Sequence, residues 1–363
     1  HPLGDDATAE QLLAAPAAAD AYLNLAATGQ LRLRRTARTA SGDHSRQIRI
    51  EVLALLARAC GLPPALPPQP DPPSREPVPA RPRGLLRASL TDLADRRDAT
   101  PGQLRMLAIG CLVSDTGARA GELCSLTLED LSPTLEEVRL LRRPQGWAEE
   151  EAYLEVVELT GLTRAALRRW LPERQALLQR VSGSASAVWV SLHGNHRHGQ
   201  TTPPGTPLQP RGLARAWTKS VVTTNHQFGG EPGWEPLPTR MEQLRRGVEP
   251  VAEYAPHRPD AERAPLLTDD LTAAGAALAA ARRDGEEDST AELEARVAAR
   301  QALRAAWAEG LEHTGLVDVL TQAGLQTDAE LASAGWEPVL LHALHRRSGV
   351  GRPSRAQPDG GSR

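Results

Sequence analysis

The first sixty residues are patterned for helices. In "AEQLLAAPAAADAYLNLAATG" Leu and Ala recur at helical spacing around a Pro interruption, and "SRQIRIEVLALLARACG" is strongly amphipathic and stops at Gly61. Between them lies the arginine-rich "QLRLRRTARTASGDHSR", with Arg34, Arg35 and Arg38. It reads either as a solvated loop or as a patch that contacts phosphates. "LPPALPPQPDPPSREPVPARPRG" then carries prolines too densely for a helix or a central strand, which predicts a stiff, extended linker.

Beyond the linker, "LLRASLTDLADRRDATPGQLRMLAIGCLVSDTG" reads as two helices. Thr100 and Pro101 open the second and Gly117 ends it. "EEVRLLRRPQGWAEEEAYLEVVELT" reads as a hairpin about a Pro-Gln-Gly turn. "LTRAALRRWLPERQALLQRV" is an amphipathic helix with Leu167, Trp170, Leu171, Leu177 and Leu178 on its core face. A short buried strand, "SAVWVSL", follows, then a proline-opened helix, "PLQPRGLARAWTKSVV", and another helix begun by "PLPTRMEQLRRGV". From about Asp260 the chain turns to Ala-rich helices with many acidic residues and no strand signal. Its last residues, "GVGRPSRAQPDGGSR", have the composition of a disordered tail. In "ELEARVAARQALRAAWAEGLEH" the helix-spaced Leu, Val and Trp suit an intramolecular core or a seam with a partner helix equally well.

At 363 residues the chain has room for two or three domains. The pattern divides it into a helical domain (1–62), a Pro-rich linker (63–84), a mixed domain (85–255), an acidic helical region (256–348) and a tail (349–363). Lys219 is the only lysine, and the wealth of Ala, Arg and Pro fits a GC-rich coding bias, so a single arginine says less than usual. The net charge of −3 conceals an asymmetry. Residues 1–246 hold 30 Lys+Arg against 26 Asp+Glu, and residues 247–363 hold 12 against 19. A mildly basic body is compatible with nucleic-acid binding without requiring it.

Three cysteines, Cys60, Cys111 and Cys124, without a spacing pattern argue against a disulfide framework or a cysteine zinc site. His193, His196 and His198 share a Gly-rich loop with no carboxylate or cysteine beside them, which reads as a polar loop rather than a metal site. No cofactor motif is present, whether P-loop, Rossmann glycines, HExxH or nucleophile elbow. No run is apolar for the roughly 18–20 residues a membrane span needs. With no signal-peptide pattern, a cytoplasmic protein is the expectation, nucleoid-associated if bacterial.

"DTGARAGELCSLTLEDL" holds Arg119 behind a Thr-Gly turn, with Glu122 three residues on. This block resembles the first conserved block of the tyrosine recombinases, the phage-integrase family. The pieces that follow keep the family's order: the hairpin, "VELTGLTRAALRRWLPER", "VWVSL", "PLQPRGLARAWTK", and "TRMEQLRRG" at the place of its His-x-x-Arg box. The resemblance spans roughly residues 8–250. It implies a mainly α fold with a small β component: a helical core-binding domain, a tyrosine-recombinase-like α/β catalytic-type domain, and an extra helical C-terminal region. It also implies that double-stranded DNA is the partner, enclosed in a C by the two domains.

In that family two arginines donate forked hydrogen bonds to the non-bridging oxygens of a pentavalent phosphate. Arg119 and Arg245 match those positions, and Glu122 matches the acidic group that orients the first guanidinium. Arg142 and Arg143 of the hairpin, with Arg34, Arg35 and Arg38, are further candidates for phosphate contacts. Three departures stand against catalysis. Glu242 occupies the position of the histidine. The hairpin has Arg139, Arg142 and Arg143 but no lysine, and an arginine holds its proton too tightly to serve as general acid. The family's nucleophilic tyrosine lies about 30 residues beyond the second arginine, whereas Tyr254, the last tyrosine here, lies only nine beyond Arg245.

The expectation is therefore a duplex-DNA-binding relative that has lost strand cleavage and acts as an accessory or regulatory subunit. Helices 260–345 would contact another copy or a protein partner. Two alternatives remain: an active, divergent recombinase using Tyr254 as nucleophile, and a protein-interaction scaffold that does not bind DNA.

Overall fold

The structure is a computed structural model that describes residues 8–31, 43–63, 80–143, 151–178, 186–197, 200–246, 257–260, 263–283 and 289–347. Arg34, Arg35, Arg38, Tyr254, His198, the Pro-Gln-Gly turn and the tail lie outside the described residues. The chain divides into two compact units, 1–76 and 77–363, a division that falls inside the proline-rich segment.

The first unit contains α1 (Ala9–Ala14), α2 (Pro16–Ala27) and α3 (Asp43–Ala59). Thr8 caps α1 by accepting a hydrogen bond from the Gln11 N–H, while the Gln11 side chain returns to the Thr8 N–H. Pro16 at the first position of α2 explains why the proline interrupts the run without ending it. Ala18, Ala19, Leu23, Ala26, Ile50 and Ala57 are buried.

The second unit opens with α4 (Ala80–Asp95), which corrects the linker boundary: the backbone is already helical across 80–84. Then comes α5 (Pro101–Thr116), buried along nearly its whole length and capped by Thr100 with Gln103 returning the bond. Gly117, at φ 63°, ends α5 in the left-handed conformation that favours glycine. After α6 (Ala120–Ser125), the strands β1 (Glu137–Arg142) and β2 (Tyr153–Glu158) pair antiparallel, with Glu137 opposite Glu158 and Arg142 opposite Tyr153.

Next is α7 (Gly161–Leu178), which buries Leu167, Trp170 and Leu171 and half-buries Leu177 and Leu178. The Asp115 carboxylate, at the end of α5, accepts from the Thr160 N–H at 2.8 Å and the Thr163 hydroxyl at 2.5 Å. One acid thereby ties the start of α7 to the Thr-Gly turn. Burial pushes its pKa up despite those bonds.

"SAVWVSL" is buried as expected but is not a ladder strand. Val188, Trp189 and Val190 are buried, yet the run makes only single bridges, Ala187 to Thr127 and Val190 to Pro207. It is hydrogen-bonded on both sides, Val188 N–H to the Leu126 carbonyl and Leu208 N–H to the Trp189 carbonyl, but neither pairing extends into a ladder among the described residues. Arg105 of α5 anchors it by donating to the Val190 carbonyl at 2.7 Å, and burial lowers the pKa of this arginine to about 10. The histidine loop is likewise a correction: its backbone forms a small hairpin, β3 (Asn195–Arg197) and β4 (Gln200–Thr202).

The unit continues through α8 (Pro210–Phe228), α9 (Met241–Arg246), α10 (Ala264–Arg283), α11 (Thr290–Ala308), α12 (His313–Gln322), α13 (Asp328–Ser333) and α14 (Pro338–Arg347). Among the described residues the fold is mainly α with two small hairpins.

The alternative left open for α11 is decided by packing. Ala299, Leu303, Ala306 and Trp307 are fully buried in the same core as α5 and β1. The Trp307 indole donates to the Glu129 carbonyl at 3.0 Å, and the Arg139 guanidinium lies 4.7 Å over its ring. Arg304 pairs with Glu137 at 2.7 Å, and Arg300 with Glu136 at 2.9 Å. His313 is buried against the Leu131 carbonyl at 2.9 Å. Leu303 and Trp307 of the stripe thus belong to an intramolecular core, while Leu293 and Val297 stay exposed. No helix among the described residues is long and apolar enough to cross a membrane.

Candidate nucleic-acid interface

The site is built around Glu122. Gly117 turns the chain out of α5, and Arg119 then sits at the N-cap of α6 with extended backbone (φ −83°, ψ 159°). Three residues on, the Glu122 carboxylate folds back to accept the Arg119 N–H at 2.8 Å. This is one half of a capping box, and it places an acid where the N-terminal peptide groups favour negative charge. Glu122 is 5% exposed, so its charge needs local partners. Arg142 Nη1 supplies one at 3.2 Å, and the Arg143 N–H donates to its other oxygen at 3.4 Å.

Arg119 reaches the opposite way. Its Nη1 donates to the Arg143 carbonyl at 2.7 Å, and its distance to Glu122 Oε1 is a long 3.9 Å. The side chain is one-third exposed, and its Nε and Nη2 meet no partner among the described residues. A guanidinium held through one nitrogen, with its other donors toward solvent, is a ready anion receptor.

Arg142 requires a correction. The sequence offers it as a phosphate contact, but its donors are taken inside the protein. Nε donates to Glu155, Nη1 to Glu122, and Nη2 to the Thr116 carbonyl at 2.7 Å. In the hairpin register Glu155 lies opposite Leu140, one diagonal step from Arg142 on the same face. Arg142 therefore braces Glu122 and the Thr-Gly turn. Arg143 is exposed, and its main chain serves the site by accepting from Arg119 and donating to Glu122.

Arg245 arrives by a separate route. Gly110 of α5 lets α8 approach closely: a Cβ there would lie 3.2 Å from the Trp217 ring. Trp217 in turn donates to the Pro238 carbonyl at 3.0 Å, and Asn225 brackets the N–H and C=O of Leu237. These contacts fix the run into α9, where Met241 and Leu244 are buried and Glu242 and Arg245 are only partly covered. Arg245 forks onto Glu242, Nε at 2.8 Å and Nη2 at 2.5 Å. That hydrogen-bonded carboxylate raises the arginine's pKa, and the charge of Glu122 adds to the effect through space. The two sequence blocks are joined through α5, whose end sets the Arg119 turn and against which α9 packs.

Lys219 is exposed on α8. Cys60, Cys111 and Cys124 are free, and burial raises the Cys124 thiol to about 11 and Cys111 further still. Among the described residues no group of three metal-ligating side chains comes together. Neither Glu155 nor the Thr116 carbonyl stands out in the sequence as a support. The first could be found from strand alternation once the register was known; the second, a main-chain atom, has no residue signature.

No family model matches the chain, and no curated protein does. Among solved structures it is similar to XerA recombinase, at 15% identity and a TM-score of 0.30, over 86% of this chain and 85% of that one. It is similar to the Tn1549 transposon integrase in complex with transposon right end DNA, at 13% identity and a TM-score of 0.37, over 89% and 85%. A complex of the same integrase with circular intermediate DNA gives 14% identity and a TM-score of 0.38, over 88% and 84%. These counterparts are a recombinase and an integrase, and the helices, hairpin and arginine-bearing turns of this chain follow the order that its resemblance to tyrosine recombinases implies.

Proposed function

We propose that this chain is a duplex-DNA-binding protein of the tyrosine-recombinase type that holds a phosphodiester without cutting it, as an accessory or regulatory subunit. The observation behind this reading is the Arg119 guanidinium. It is anchored by one nitrogen, backed by a buried glutamate that the hairpin arginine neutralises, and open on its remaining donors among the described residues. Such a group suits a phosphate oxygen, and contact with the backbone makes binding sensitive to salt and tolerant of sequence.

Cleavage would need more: an acid able to protonate the leaving oxygen and a nucleophile in line with the phosphorus. The hairpin arginines cannot act as that acid at neutral pH, and Arg142 is fully engaged with Glu122, Glu155 and Thr116.

The test is fluorescence anisotropy of the full chain on a labelled duplex at 50–200 mM salt. Wild type should bind with an affinity that falls steeply with salt. Arg119→Ala should weaken binding roughly tenfold at 100 mM salt, at the level of one charge-assisted phosphate contact. Equal affinities for wild type and Arg119→Ala would contradict the reading.

A further inference from the structure

The two arginines are not equivalent. Arg119 donates to a neutral carbonyl and keeps donors for a ligand. Arg245 has one whole edge filled, because Nε and Nη2 both reach Glu242. A carboxylate on that edge presents two oxygens much as a phosphodiester presents its two non-bridging oxygens, and the fork geometry suits either. The pair is internal to a single turn of α9, so it forms without any ligand.

We infer that Glu242 is an internal phosphate mimic that competes with the DNA backbone for Arg245. This inference rests on the proposed DNA-binding function. A phosphate approaching Arg245 exchanges with a carboxylate instead of filling an open site, and it meets the negative charge of Glu242 as it arrives. The exchange is feasible because the pair is partly exposed, with Arg245 at 25% and Glu242 at 35%, and pairs of that kind are weak. Arg119 then supplies the contact made on first encounter, and Arg245 adds its contact only when Glu242 is displaced or neutralised. A histidine at this position would leave the fork free, whereas the glutamate sets the resting state of the interface to half open.

The test uses the full chain and the same duplex, comparing wild type, Glu242→Gln, Glu242→Ala, Arg245→Ala and the double variant Glu242→Gln/Arg245→Ala. Glu242→Gln should bind roughly fivefold tighter at 100 mM salt, and its log–log salt dependence should steepen by about 0.9, the increment for one added phosphate contact. Glu242→Ala guards against a glutamine that still bonds the fork, and should show the same gain. Against an Arg245→Ala background, Glu242→Gln should neither tighten binding nor steepen the salt dependence, because the fork that would take the added phosphate contact is gone. A gain that persists without Arg245 would show a general charge effect and overturn the inference. So would unchanged affinity and slope in both Glu242 variants, while leaving the DNA-binding reading intact. Failure of wild type and all variants to bind at 50 mM salt would overturn both.

Discussion

At the residue scale the site turns on Glu122. A buried carboxylate that accepts from the Arg119 N–H, Arg142 Nη1 and the Arg143 N–H cannot be removed without leaving those three donors short of a partner, although Arg142 keeps Glu155 and the Thr116 carbonyl. Glu122→Ala should therefore cost about 3 kcal/mol of stability, the scale for breaking one side of a buried ion pair. Urea denaturation of residues 77–363 would measure it. Arg119→Ala, at a one-third exposed position, should cost less than about 1 kcal/mol while reducing DNA affinity. This contrast separates the brace from the ligand contact. The sequence showed Arg119 and Glu122 because their relation is local: three residues at a helix start, after a turn whose glycine is needed for its backbone angles. It misplaced Arg142 because in an arginine-rich chain nothing local distinguishes a buried brace from an exposed contact. That distinction is made by Glu155, across the hairpin.

At the element scale, helices with caps and strong periodicity were legible almost to the residue, as at Thr100 and Gly117. "VWVSL" was read as a strand because an apolar β-branched run records burial, while a ladder also needs a partner strand that no local pattern reveals. The docking of α11 onto β1 was equally hidden, since its apolar face suits any apolar partner. Trp307→Ala should cost about 3–5 kcal/mol by leaving a cavity beneath Arg139 and Glu129. Gly110→Val should cost about 1–3 kcal/mol by pressing on Trp217, and should weaken DNA binding through the Pro238 contact that sets α9.

Acid should act on the same docking face. Desolvation alone would raise the Glu136 carboxyl, but the Arg300 hydrogen bond and the charges of Arg300 and Arg304 outweigh it and bring it below the ordinary glutamate value of 4.5. A carboxylate whose folded pKa is depressed adds stability that is fully present above its unfolded pKa and is lost as pH falls through the folded one. The melting temperature should thus drop on acidification below about pH 4.5, and drop less in Glu136→Gln.

At the scale of the whole molecule, the unexpected feature is the integration of the acidic helices. The sequence sets them apart by composition and charge, yet residues 77–363 form one compact unit with one core. That unit should melt in a single cooperative transition, and a fragment ending at residue 256 should lose it, having left β1 and Glu129 uncovered. A stable 77–256 fragment with native-like denaturation would argue for independent domains. The surface of these helices that faces away from the body still bears Leu293 and Val297 on one side of α11, at 48% and 56% exposure.

The central claim is that the chain holds a DNA phosphate and leaves the strand whole. The most direct measurement incubates the full chain with a nicked suicide duplex, from which a cleaved strand could not be religated. Retarded complex and covalent adduct are then quantified on the same sample. The expected result is a saturable, salt-sensitive complex that weakens with Arg119→Ala, and no adduct surviving denaturation. A denaturation-resistant protein–DNA band, lost in Tyr254→Phe, would contradict it.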